Sequence, residues 1–126
     1  MISKISLHEA EEKEGPRPQG EAVFSILIPS WNNLAYLKCC IDSIRKNSKY
    51  KHQIIVHVNE GIDGTLEWVK SQNLSHSYSK ENVGVCYGFN APSCLAKSSY
   101  IVLLDDDYYF APEGSDPNQE IGRAHV

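Results

Sequence analysis

Apolar runs alternating with helical or turn-forming stretches constrain this chain more than any other feature. "AVFSILIP", Ala22 to Pro29, reads as a buried strand ended by proline. In "HQIIVHV" a second strand spans Gln53 to Val58, "HSYS" is a weaker third, and "YIVLL", Tyr100 to Leu104, a fourth. Between the first two lies "LAYLKCCIDSIRKN", where Leu34, Leu37, Ile41 and Ile44 recur at helical spacing. Asn32 or Asn33 is placed to cap its first turn. "LEWVKSQ" predicts a short helix capped by Asp63 or Thr65, with Leu66 and Val69 inward. Val85 to Lys97 predicts a helix that Pro92 breaks or delays. Strands alternating with helices indicate an α/β fold, an open and mostly parallel sheet with helices on its faces.

The 126 residues fit one domain. Residues 1–20 are rich in Glu, Lys, Pro and Gly and predict a flexible extension; residues 21–113 carry the domain pattern. Residues 114–126 are expected to be a non-native or disordered tail. "EIGRAHV", Glu120 to Val126, is what one frame of a common sequencing adapter encodes, so the reading frame is expected to be cut short by read-through. A net charge of -4 argues against a nucleic-acid partner, which usually demands a basic face. The apolar runs are too short for a transmembrane helix and no secretion signal opens the chain, so a cytoplasmic location is expected. Cys39, Cys40, Cys86 and Cys94 form no C-x-x-C pair and are expected to be reduced and mostly buried.

In open α/β sheets ligands bind beyond the carboxyl ends of the strands. Those ends are polar here: "PSWNN", "VNEGIDG" and "DDDYY". If the last segment stays extended, Asp105 and Asp107 converge and Asp106 points away. Two carboxylates on one side suit Mg²⁺ or Mn²⁺; a solvated acidic turn is the plain alternative. Trp31 offers a face for a nucleobase, with Ser30 and Asn32 as hydrogen-bonding neighbours, or else it packs over the helix start. The Asn59 oxygen could accept from a pyrimidine imide N–H, or Asn59 is a turn residue beside Glu60. Asp63, Gly64 and Thr65 read as turn and cap chemistry. Asn82, Gly84 and Gly88 suggest a phosphate loop, yet their spacing matches neither the dinucleotide fingerprint nor a P-loop. The histidines show no metal-ligand spacing, and His57 reads as a satisfied strand residue.

Taken together, "FSILIPSWNN", "IIVHVNEGIDGT", "ENVGVCYGFN" and "YIVLLDDDYYFAP" resemble the family 2 glycosyltransferases of the GT-A fold, over about Val23 to Pro112. The resemblance implies a Rossmann-like sheet, truncated after the DxD motif, and transfer of a sugar from a nucleoside-diphosphate donor with inversion. It places Pro29, Ser30 and Trp31 at the nucleoside and Asn59 where many members carry a base-binding aspartate. Asp105 and Asp106 fall at the donor, with Asp107 and Asp105 as metal ligands for Mn²⁺ or Mg²⁺. Asn59 in place of an acid leaves uridine unspecified. Phe89 stands where many members have an arginine, and Pro92 near a usual glycine.

The catalytic base of the family lies downstream of DxD, so this chain is expected to be the inactive donor-binding part of a hexosyltransferase. Its acceptor is an unknown sugar, glycan or lipid, and peripheral membrane association of the full-length protein stays open. A non-catalytic nucleotide-binding or interaction module is the alternative reading. A metal-dependent phosphoryl-transfer domain is another, though Pro29 and Ser30 stand where it needs a nucleophilic aspartate.

Overall fold

The computed structural model describes residues 4–10, 23–112 and the backbone of 123–124. Its centre is a five-stranded sheet in the order β1-β4-β3-β2-β5. β2 (Phe24–Trp31), β3 (His52–Asn59), β4 (Ser75–Ser79) and β5 (Tyr100–Leu103) run parallel. The helices α1 (Leu34–Asn47), α2 (Thr65–Ser71) and α3 (Gly84–Ser93) connect them. The α/β reading therefore stands, as a mostly parallel sheet with flanking helices.

Side chains alternate across each strand, which divides the core in two. Ile26 and Ile28 of β2 and Ile54, Val56 and Val58 of β3 face α1 and α2, meeting Leu37, Cys40, Ile41, Ile44 and Val69. Leu27 and Ile55 face the opposite way and meet Leu95 and Phe89 at the α3 side. Each fully buried aliphatic side chain contributes about 1.5–3 kcal/mol, so the two clusters hold both helix layers to the sheet. At Gly88 of α3 an added Cβ would lie 3.0 Å from the Pro29 Cβ. The missing side chain lets α3 sit directly over β2.

β2 runs two residues beyond the predicted end at Pro29, because its register with β3 continues through Ser30 with Val58 and Trp31 with Asn59. α3 ends at Ser93 and not at Lys97: from Cys94 to Ala96 each N–H bonds the carbonyl three residues back, the tightening of a helix end. The flexible extension expected over residues 1–20 needs correction at β1 (Ile5–His8), which pairs antiparallel with β4. The open edge of β4 supplies the backbone partners that local sequence cannot reveal. Residues 11–20 lie outside the described residues. So does the tail expected over 114–126, except for the backbone of β7 (Arg123–Ala124), parallel to β6 (Tyr109–Phe110). Of the cysteines, Cys40 alone is buried; Cys39, Cys86 and Cys94 are exposed, which corrects the expectation of mostly buried thiols. Among the described residues no helix is long and apolar enough to cross a membrane.

Candidate functional site

β2 is flanked by β3 on one side and by β5 on the other, so the direction of strand progression reverses at β2. That reversal opens a crevice at the carboxyl ends, the usual ligand position in such sheets. An open cleft of about 360 Å³ lies there. Six of the seven predicted site residues line it: Pro29, Ser30, Trp31, Asn59, Asp105 and Asp106. Asp107, one of the two predicted metal ligands, is exposed and does not line it. Asn33, Val85 and the loop residues Asn82 and Gly84 complete the wall.

The acidic triplet does not stay extended. After Leu104 the chain turns, with the Tyr108 N–H on the Asp105 carbonyl at 3.3 Å. This turn overrides the strand alternation that had aimed Asp106 away. Asp106 instead points inward, its Oδ2 accepting from Ser30 Oγ at 2.8 Å and its Oδ1 from Asn33 Nδ2 at 3.2 Å. Burial pushes its carboxyl above the ordinary value; the bonds from Ser30 and Asn33 oppose that, and the charges of Asp107 and Asp105 add to it. Asp105 stays exposed at the cleft. Burial likewise pushes the Cys40 thiol up to about 12, with Asp106 adding to the effect, so this cysteine is an inert packing group beneath the turn.

Asn33 is thereby diverted from the capping role predicted for it or Asn32. The α1 N-terminus is capped from another loop, the Leu34 N–H donating to Asp63 Oδ2 at 3.0 Å. Asn32 bridges the same two loops, donating to Glu60 Oε2 at 3.0 Å and accepting from the Ile62 N–H at 3.0 Å. Asn32 and Glu60 take left-handed backbones, with φ of 46° and 59°. Non-glycine residues there carry strain that surrounding contacts must hold, a pattern concentrated at functional sites.

Trp31 is 56% exposed, so it presents a ring face at the cleft and is not core. Asn59 is buried to 4% exposure, and its oxygen is already engaged by the protein. Oδ1 receives the Val83 N–H at 3.0 Å and Ser79 Oγ at 3.2 Å, and lies 3.2 Å from His57 Nε2. The expectation that this oxygen accepts from a pyrimidine imide is corrected on that ground. His57 is fully buried beneath it, also 2.6 Å from Ser77 Oγ. No pattern in local sequence links His57, Asn59, Ser77 and Ser79; the parallel register of β3 and β4 does. Of the glycine loop, Gly84 lines the cleft and donates its N–H to Asn82 Oδ1 at 2.9 Å, whereas Gly88 serves helix packing. Phe89 packs in the α3-side core.

Among the described residues no three metal-ligating side chains converge. The donor set at the cleft is one free carboxylate, Asp105, beside a committed one, Asp106. Hard oxygens in that number fit a divalent cation that takes most of its ligands from water and phosphate, and do not fit a closed protein cage.

An open, mostly parallel α/β unit with a cleft and an acidic turn at its switch point is an arrangement that GT-A-type domains share. Residues 25–117 match the model of the family described as Glycosyl transferase family 2, and the chain belongs to that family. It is 33% identical over 97 residues to an uncharacterized glycosyltransferase of Mycoplasma genitalium, covering 70% of this chain and 32% of that protein. It is 30% identical over 93 residues to the chondroitin synthase of Pasteurella multocida, covering 71% of this chain and 10% of that one. The chain thus spans about a third or less of these relatives. Among solved structures, S. aureus TarS 1-349 superposes with a TM-score of 0.64 at 23% identity, covering 72% of this chain and 29% of that one. The mannosyltransferase PcManGT of Pyrobaculum calidifontis, in complex with GDP-Man and Mn²⁺, gives 0.62 at 19%, covering 76% and 30%.

Proposed function

We propose that this chain is the donor-binding part of a glycosyltransferase that uses a nucleoside-diphosphate sugar and a divalent cation, Mn²⁺ or Mg²⁺. The observation that carries the reading is the convergence of Trp31, Asn59, Asp105 and Asp106 on one cleft at the switch point. PcManGT has been solved in complex with GDP-Man and Mn²⁺ and TarS in complex with UDP, which supports a nucleotide-linked donor and a divalent cation for this reading.

In this reading the base stacks on the exposed Trp31 ring. Asp105 would hold the cation, with Asp107 as the second carboxylate of the turn available to it. The bound cation would stabilise charge developing on the departing phosphate. Asp106 acts as a positioning residue: its bonds to Ser30 and Asn33 fix the turn that presents Asp105. Gly84 and Val85, in the first turn of α3, line the cleft, and that turn would face the donor's phosphates. Deprotonation of the acceptor hydroxyl is assigned to a base outside residues 23–112, and hexosyl transfer with inversion is proposed for the longer protein. The 126-residue chain alone then binds donor without transferring it.

The test is calorimetric titration of the chain with nucleoside diphosphates in Mn²⁺ and again in EDTA. Binding that needs Mn²⁺ and is lost in Asp105→Ala supports the reading. A folded chain that binds none of them removes it.

A further inference from the structure

We infer that the cleft is built for a base presenting a lone pair, and not an N–H, at the ring nitrogen that faces Asn59, so that cytosine is preferred over uracil and adenine over guanine. The inference rests on the donor site proposed above. It begins at Val83, whose backbone N–H lies 3.0 Å from the Asn59 side chain. A backbone amide nitrogen cannot accept, so the atom facing it is the carboxamide oxygen, and the orientation of the Asn59 amide follows.

Ser79 Oγ donates to that same oxygen at 3.2 Å, and His57 Nε2 lies beside both, 3.2 Å from the oxygen and 3.1 Å from Ser79 Oγ. The Val83 N–H and the Ser79 hydroxyl already fill its two lone pairs, so the Asn59 oxygen has nothing left for a ligand. The polar group that remains is the NH₂. Asn59 lines the open cleft while its oxygen is turned to Val83 and Ser79, which leaves the NH₂ as the polar group it offers there.

Trp31 and Asn59 are direct partners in the parallel β2 and β3 register. Paired residues project from the same sheet face, so a ring stacked on the Trp31 indole turns an edge toward the Asn59 NH₂. That donor matches the lone pair of cytosine N3 or adenine N1. Against uracil N3–H or guanine N1–H it sets donor against donor, and one of the two stays unpaired.

CDP and UDP share ribose and phosphates and differ at this edge alone, so their ratio isolates it. In calorimetry with the 126-residue chain and Mn²⁺, CDP is expected to bind about tenfold tighter than UDP, and ADP tighter than GDP. Asn59→Asp keeps an acceptor for the Val83 N–H and turns a second oxygen to the cleft, so it is expected to reverse the order. UDP binding as tightly as CDP overturns the inference and leaves the donor site standing. Binding of neither by a cooperatively unfolding chain overturns the donor site, and this inference with it. A folded Asn59→Asp chain with an unchanged ratio removes Asn59 as the reader of the edge. Where that variant does not fold, the parent's ratio decides.

Discussion

Ser30 Oγ donates to Asp106 Oδ2 at 2.8 Å, joining the end of β2 to the turn that follows β5. Asn33, at the head of α1, donates to the other oxygen of the same carboxylate. The middle aspartate of the triplet is thus a tie between three elements, while its neighbours face solvent.

The three aspartates should therefore differ in what they do for stability. Asp106→Ala strands the buried Ser30 hydroxyl and frees the turn, a loss of about 1–3 kcal/mol. Asp105→Ala and Asp107→Ala remove exposed, mutually repelling charges and should stay within about 0.5 kcal/mol of the parent. Urea unfolding of the three variants checks this. Equal losses at Asp106 and Asp107 would contradict the inward placement of Asp106.

Asp63 is the second non-local tie. Its Oδ2 caps α1 from the loop after β3, while Oδ1 receives the Thr65 N–H and hydroxyl. Burial pushes its carboxyl up, but the Thr65 and Leu34 bonds together prevail and hold it below the ordinary value. Asp63→Ala should cost about 1 kcal/mol, the typical worth of a cap. A depressed carboxylate stabilises above its unfolded pKa of about 3.9 and loses that contribution as pH falls through the folded value. In thermal melts, the gap between parent and variant should be fully present at pH 7 and narrow as pH falls below about 3.9. A gap that does not narrow on acidification would assign the loss to packing.

These ties also mark how far the sequence could be read. β2, α1, β3, α2 and β5 were legible because their periodicity is local: Leu37, Ile41 and Ile44 announce a helix wherever its partners lie. Trp31, Asn59 and Asp105 could be placed at strand ends, and the cleft does bring them together. Asp106 faces inward against the strand alternation, which holds only while the chain stays extended, and the turn begins one residue earlier. Asn32 and Asn33 lie next to α1, but the Leu34 N–H at its start bonds Asp63 from 29 residues away. β1 is not legible locally because an edge strand of four residues is defined by the strand it joins.

Gly61 and Gly84 separate backbone strain from packing. Both have left-handed backbones, with φ of 71° and 82°. A Cβ at Gly61 would lie 2.7 Å from Val58 Cγ1, whereas at Gly84 it would meet nothing within 4 Å. Gly84→Ala should cost about 1 kcal/mol from conformation alone. Gly61→Ala should cost at least about 1 kcal/mol more, since Val58 is fully buried and cannot retreat without opening the core. Equal urea midpoints for the two would refute the close approach.

The buried His57 network predicts a direction for the pH dependence of folding. Burial lowers the His57 pKa below its usual 6.5, and the bond to Asn59 opposes this without reversing it. Burial lowers His76 as well, against the pull of the Leu74 carbonyl. Below pH 6.5 the unfolded chain takes up protons at both residues while the folded chain resists, so the unfolded state binds more protons and stability decreases as the pH is lowered. The contribution is present above about pH 6.5 and is lost as pH drops toward the folded values. The urea midpoint should therefore decline between pH 7.5 and 5.5. In His57→Gln it should start lower, since Ser77 loses its buried partner, and decline less steeply, since one of the two titrating groups is gone. A midpoint that stays flat or rises on acidification would contradict the lowered pKa of these buried imidazoles.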